Sequence, residues 1–178
     1  MKMTETRLES KDVFEGRIIK VRVDKVLLPN GKESTREVVV HRGAVAVVPI
    51  LDERRVLLVR QFRYPVGEVL LEIPAGTISD GEDPERCALR ELEEETGYLG
   101  DLSYLCTLFL APGYSTERIH LFIATNLKRT KQNPDEDEIL ELVEMTIEEA
   151  ISMIGDGRIR DAKTVAGLIL ARERICKG

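Results

Sequence analysis

Residues 76–98 read GTISDGEDPERCALRELEEETGY, and the fold follows from how this stretch is punctuated. Asp83 can accept hydrogen bonds from the first free amides of a helix, Pro84 suits the first helical position, and Gly97 suits the left-handed position past the last turn, so the spacing predicts a helix over 84–96. On that helix Glu91, Glu94 and Glu95 fall at i, i+3 and i+4, within a sector about 100° wide. Ala88, Leu89, Leu92 and Thr96 occupy the neighbouring sector, which should face a core, and Glu95 lies on the border between the two. Carboxylates in that position are partly desolvated and repel one another, so ionisation is costly unless a cation shares the site. Oxygen-only ligands select Mg²⁺, Mn²⁺ or Ca²⁺ over zinc or copper. Glu91 and Glu95 are separated by a rise of about 6 Å, a gap their side chains can close on a pair of ions about 3.5 to 4 Å apart. Mg²⁺ keeps waters and is usually completed by substrate phosphates, so the helix points to a phosphate substrate. Taken alone, E-L-E-E-E-T is the pattern of a solvated helix face, and the surrounding residues decide between the two readings.

Outward from the helix, β-like patterns dominate. Residues 17–28 and 34–41 alternate as strands around Asn30-Gly31, a hairpin signal. The apolar, β-branched runs at 44–51 and 56–62 resemble central strands, and 68–73 leads into Pro74-Ala75-Gly76, where strand pairing should stop. Downstream, residues 101–110, 118–124 and 139–145 are strand-like. Thr146 with Glu149 has the pattern of a capping box opening a helix to about 154, and a last helix spans 162–175. Grouped strands with one internal and two terminal helices predict an α+β fold with a mixed sheet. The expected division is an N-terminal β-hairpin region over 1–42 and a larger domain over 43–178.

The charge balance excludes several functions. The 178 residues carry 26 Lys+Arg against 32 Asp+Glu, a net charge of −6, which argues against a nucleic-acid binder relying on phosphate neutralisation. No run reaches the roughly 18 to 20 apolar residues of a membrane span, and the first residues lack a secretory apolar stretch, so a cytoplasmic protein is expected. Cys87, Cys106 and Cys176 are odd in number and widely spaced, which suggests reduced thiols rather than disulfides or a zinc site. Two histidines, His41 and His120, leave little material for a Ser-His-Asp triad.

Gly76, Glu82, Arg90, Glu91, Leu92, Glu94, Glu95, Gly97 and Tyr98 resemble the Nudix box, G-x5-E-x7-R-E-U-x-E-E-x-G-U, with U a bulky aliphatic residue. Seven fixed letters at about 7% background each give odds on the order of one in 10⁸ per starting position. Tyr98 departs from the pattern at a packing position. The resemblance implies an α/β/α sandwich, a mixed sheet with helices on both faces, that hydrolyses a nucleoside diphosphate linked to another moiety. It implies metal binding by Glu91 and Glu95, with Glu94 contributing or close by, and by the carbonyl of Ala75. Arg90 would orient the acids and Glu82 would support them.

The likeness continues outside the box. Residues 59–67 and 71–76, followed by 111–117 with Pro112 and Glu117, look like the ADP-ribose pyrophosphatase branch. That branch implies ADP-ribose as substrate, Mg²⁺ or Mn²⁺ as cofactor, and a homodimer paired through N-terminal strands; GDP-mannose or another nucleoside diphosphate sugar is the alternative. A non-catalytic ADP-ribose sensor is disfavoured by the intact Glu91, Glu94 and Glu95. Arg63 could grip pyrophosphate through a bidentate fork. Glu72 could accept from adenine or ribose, and Phe62 could stack, though an aromatic in a strand is more often core. The acidic run 135–138 occupies the place of the branch's catalytic glutamate, with Glu136 favoured over Glu138. Eight of the 32 acids, Glu82, Glu91, Glu94, Glu95 and residues 135–138, would then surround one site.

Overall fold

Val45 and Val47 point to one face of their strand and Ala46 and Val48 to the other, all fully buried, so this strand needs a covering layer on both sides. The computed structural model, which describes residues 3–134 and 138–175, supplies both layers. The order is β1 (Thr6–Glu15), β2 (Lys20–Leu27), β3 (Glu33–Val40), β4 (Ala44–Pro49), β5 (Arg55–Arg63), β6 (Glu68–Glu72), β7 (Ala75–Thr77), α1 (Pro84–Thr96), β8 (Tyr98–Phe109), β9 (Arg118–Arg129), β10 (Leu140–Thr146), α2 (Ile147–Gly155) and α3 (Ala162–Ile175).

The chain forms two units. In the first, residues 1–43 with 109–118, the antiparallel sheet β1-β2-β3 is joined by the 109–118 segment: Val39 N donates to Tyr114 O at 2.8 Å and Thr116 N to Val39 O at 2.9 Å. The expected hairpin is therefore β2-β3, with β1 added along β2. Every residue of β1 is exposed, so its pairing left no apolar alternation in the sequence.

In the second unit, residues 44–108 with 119–178, two sheets are present, β7-β4-β9-β8 and β10-β5-β6. The first is mixed: β4 runs parallel to β9 and antiparallel to β7. Cys87, Ala88 and Leu92 of α1 pack with Val45, Val47, Phe122 and Ala124 on one face. On the other face α3 approaches closely at Gly167, where a Cβ would press on Ile73 and Val48. Helices thus cover both faces, as expected. The pairing of β6 with β5 stops at Glu72, as expected, but a new strand, β7, then pairs with β4 in the other sheet, with Ala46 opposite Ala75, so the residue before the box glycine is held by that sheet. Strand β8 begins at Tyr98, directly after Gly97 ends α1 in the left-handed conformation (φ 70°), and β9 runs on to Arg129.

Candidate active site

The site is built from the turn between β7 and α1. Asp83 caps α1 by accepting from Glu85 N at 3.0 Å and Arg86 N at 3.3 Å. Gly76 leaves room for the Glu91 side chain; a Cβ at that position would overlap the Glu91 carboxylate. Arg90 commits all five of its N–H groups. Its Nε and Nη2 donate to Glu82 at 2.9 and 3.1 Å, Nη1 to Glu91 Oε1 at 2.7 Å and to Glu94 Oε2 at 2.9 Å, and Nη2 also to Cys87 Sγ at 3.3 Å. With no donor left for a substrate, Arg90 organises the acids.

Burial divides the acids by charge state. Glu95 is 2% exposed and its Oε2 accepts from Ala75 N at 3.1 Å. Burial, reinforced by the charges of Glu91 and Glu138, pushes its carboxyl up to about 8. Glu91 is pushed up to about 7 by burial, against the pull of Arg90. Glu82, by contrast, is held down to about 2 by its hydrogen bond from Arg90. Glu95, and Glu91 despite its ion pair with Arg90, are therefore oxygen donors whose charge is incompletely compensated, and that chemistry fits a hard divalent cation. Among the described residues no three acidic, histidine or cysteine side chains converge at ligand distances in this conformation, because Arg90 holds Glu91 and Glu94 while Glu95 leans on Ala75 N.

Across from α1, Arg63 ends β5. It donates Nε to Glu72 Oε1 and Nη2 to Glu72 Oε2, both at 2.8 Å, and its positive charge opposes the rise at Glu95. Glu72, 1% exposed, also receives Lys163 Nζ. Burial alone would raise the Glu72 carboxyl, yet Arg63 and Lys163 together lower it below its usual value. A carboxylate so fully engaged is poorly placed to receive adenine or ribose. Arg60, on the opposite face of the strand, pairs with Glu141 at 2.9 Å.

The structure thus brings together Ala75, Gly76, Glu82, Arg90, Glu91, Glu94 and Glu95, with Arg63 and Glu72 facing them. Phe62 does not join them: strand alternation turns it away from Arg63, to a face where it is 56% exposed opposite Val69. Pro112 and Glu117 belong to the first unit, in a turn closed by Tyr114 N and Ser115 N donating to Ala111 O. Glu136 lies outside the described residues, whereas Glu138 is described and its charge acts on both Glu91 and Glu95. Lys163 escaped the sequence reading. Its signal was a cation in the first turn of a helix, where the macrodipole disfavours positive charge.

A β-strand, glycine turn and acidic helix arranged this way on an α/β/α unit are the build of a hydrolase for phosphate anhydrides. The chain belongs to the Nudix family: the NUDIX domain model matches residues 40–168, and the nucleoside diphosphate sugar hydrolase N-terminal domain matches residues 5–39. It is 44% identical over 165 residues to an ADP-ribose pyrophosphatase of Bacillus subtilis, covering 91% of this chain and 89% of that one. It is 46% identical over 165 residues to a methanol dehydrogenase activator of Bacillus methanolicus, covering 90% and 89%. A solved ADP compounds hydrolase superposes with a TM-score of 0.87 at 28% identity, covering 97% of this chain and 95% of that one.

Proposed function

We propose that the chain hydrolyses the pyrophosphate bond of ADP-ribose to AMP and ribose 5-phosphate, with Mg²⁺ as cofactor and Mn²⁺ able to replace it. One arrangement carries this reading. A guanidinium aimed by a buried glutamate faces two buried glutamates whose carboxyls are raised by burial, and an anion receptor beside a cation receptor complements a metal-bound pyrophosphate. The 44% identity to an ADP-ribose pyrophosphatase selects the nucleotide.

Glu91, Glu95 and the Ala75 carbonyl would hold the metal, with Glu94 beside them. Once bound, the metal supplies neutralisation of phosphate charge and a coordinated water of lowered pKa. The remaining steps belong to the protein. Arg63 uses the N–H groups that Glu72 leaves free to hold the phosphate oxygens, which become more negative as the bond to the leaving group stretches. Arg90 keeps Glu91 and Glu94 in place. Glu138, whose charge is felt at Glu91 and Glu95, takes the proton from the attacking water; Glu136 is the alternative base. Phe62, Pro112 and Glu117 stay assigned to the substrate on the resemblance alone.

The working form is a homodimer. Exposed apolar side chains support it: Leu8, Val13 and Phe14 on the N-terminal sheet and, in the second unit, Phe62 paired across the strands with Val69. Among the described residues no helix is long and apolar enough to cross a membrane. Reduced Cys87 and Cys106 accord with a cytoplasmic enzyme. A panel of nucleoside diphosphate sugars with Mg²⁺ tests the substrate. ADP-ribose should turn over fastest, and equal or faster hydrolysis of GDP-mannose removes the assignment.

A further inference from the structure

We propose that Lys163 is a positioning residue for substrate binding: by sharing the Glu72 carboxylate it keeps the Arg63 guanidinium from being fully neutralised, and so sets how strongly Arg63 attracts pyrophosphate. This inference rests on the assignment of Arg63 to the pyrophosphate made above.

Lys163 stands in the first turn of α3, 9% exposed, where both desolvation and the helix macrodipole oppose a positive charge. Its ammonium is retained by two carboxylates, Glu72 Oε2 and, at 3.0 Å, Asp161 Oδ2. Fastening the helix does not require it. Asp161 already caps α3 by accepting from Thr164 N at 3.0 Å, and Thr164 Oγ1 ties the helix to the sheet by accepting from Ile73 N at 2.9 Å. What the lysine adds is charge at Glu72.

That charge bears on Arg63. Glu72 takes the Nε–Nη2 edge of the guanidinium, leaving three of its five N–H groups, on Nη1 and Nη2, for a ligand. Arg63 and Glu72 alone form a neutral pair, a weak attractor for an anion. Lys163 competes for Glu72 Oε2, the same oxygen that receives Arg63 Nη2, so the carboxylate is divided between two cations. Removing the ammonium makes the group of Arg63, Glu72, Lys163 and Asp161 more negative by one unit beside a site for a dianion. It also lets Glu72 draw Arg63 inward.

The test is a double-mutant cycle on KM and kcat for ADP-ribose at saturating Mg²⁺. Lys163→Met should raise KM about tenfold while changing kcat less than about threefold, and Lys163→Arg, which keeps the charge, should restore KM. In an Arg63→Gln background, Lys163→Met should add no further rise in KM. The proposal is overturned if Lys163→Met leaves KM unchanged, or if it raises KM by the same factor in both backgrounds, as a fold defect or a separate contact would. If Arg63→Gln itself leaves KM unaltered, the pyrophosphate assignment of Arg63 fails and this inference with it, an outcome distinct from the other two. Should Lys163→Met fail to fold, by far-ultraviolet circular dichroism, Lys163→Gln takes its place in the cycle.

Discussion

Glu91 occupies the space that a side chain at Gly76 would need. The glycine opening the Nudix box is thereby explained by close approach, since its backbone lies in strand β7 at no unusual φ. The atoms that would be displaced belong to the end of a flexible side chain, so Gly76→Ala should fold but move the Glu91 carboxylate out of position. The expected outcome is a melting temperature within a few degrees of the parent and a loss of Mg²⁺ affinity of about 10- to 100-fold. The parent should be stabilised by Mg²⁺ in a thermal melt, by about 2.7 kcal/mol at a hundred times Kd. Gly76→Ala should show only about 0.4 to 1.4 kcal/mol of that stabilisation at the same concentration, and an undiminished shift would move the metal away from Glu91.

Glu82 gives the pH prediction. Its carboxyl is held down to about 2 in the folded chain, mainly by Arg90, against 4.5 for a free glutamate. Between those values the unfolded chain binds more protons than the folded one, so stability rises with pH across that window. The contribution of Glu82 is fully present above about pH 4.5 and is lost as pH falls toward 2. Urea unfolding of the parent and of Glu82→Gln should therefore show a stability difference that is largest at pH 5 and shrinks steadily toward pH 2.5. A difference that stayed constant with pH would mean that the Arg90 pairing is not what the substitution removes.

The helices were the most legible part of the chain because their ends are local chemistry. Asp83, Pro84 and Gly97 mark α1, and the Thr146–Glu149 capping box marks the start of α2. β1 and β7 were not legible, because pairing created them and their own residues did not. The charged, exposed β1 has no inward face to reveal its period, and β7 looked broken by Pro74 and Gly76 until β4 supplied its partner. The same distinction holds within the site. Glu91, Glu94 and Glu95 lie within five residues of one helix, and spacing united them; Arg90 and Glu82 lie in the same stretch and joined them through the resemblance to the Nudix box. Lys163 and Glu72 are 91 residues apart, and nothing in either neighbourhood names the other. Phe62 shows the limit from the other side: a motif residue next to Arg63 faces away from it, as strand alternation requires.

The base assignment turns on Glu138. Its charge reaches both Glu91 and Glu95 and helps to raise their carboxyls, and that electrostatic link is what supports the proposal that it accepts the proton. Removing a general base costs about 10²- to 10⁴-fold in rate, whereas removing a residue that only binds substrate acts on KM. Glu138→Gln is the conservative test, since it keeps the shape and removes the proton acceptor. kcat should fall by at least about 100-fold with KM nearly unchanged, and Mg²⁺ affinity should stay near that of the parent because the ligands are untouched. Glu136→Gln, measured alongside, should lose far less. If the losses are reversed, proton transfer belongs to Glu136, and the charge of Glu138 serves only to bring the metal into the site.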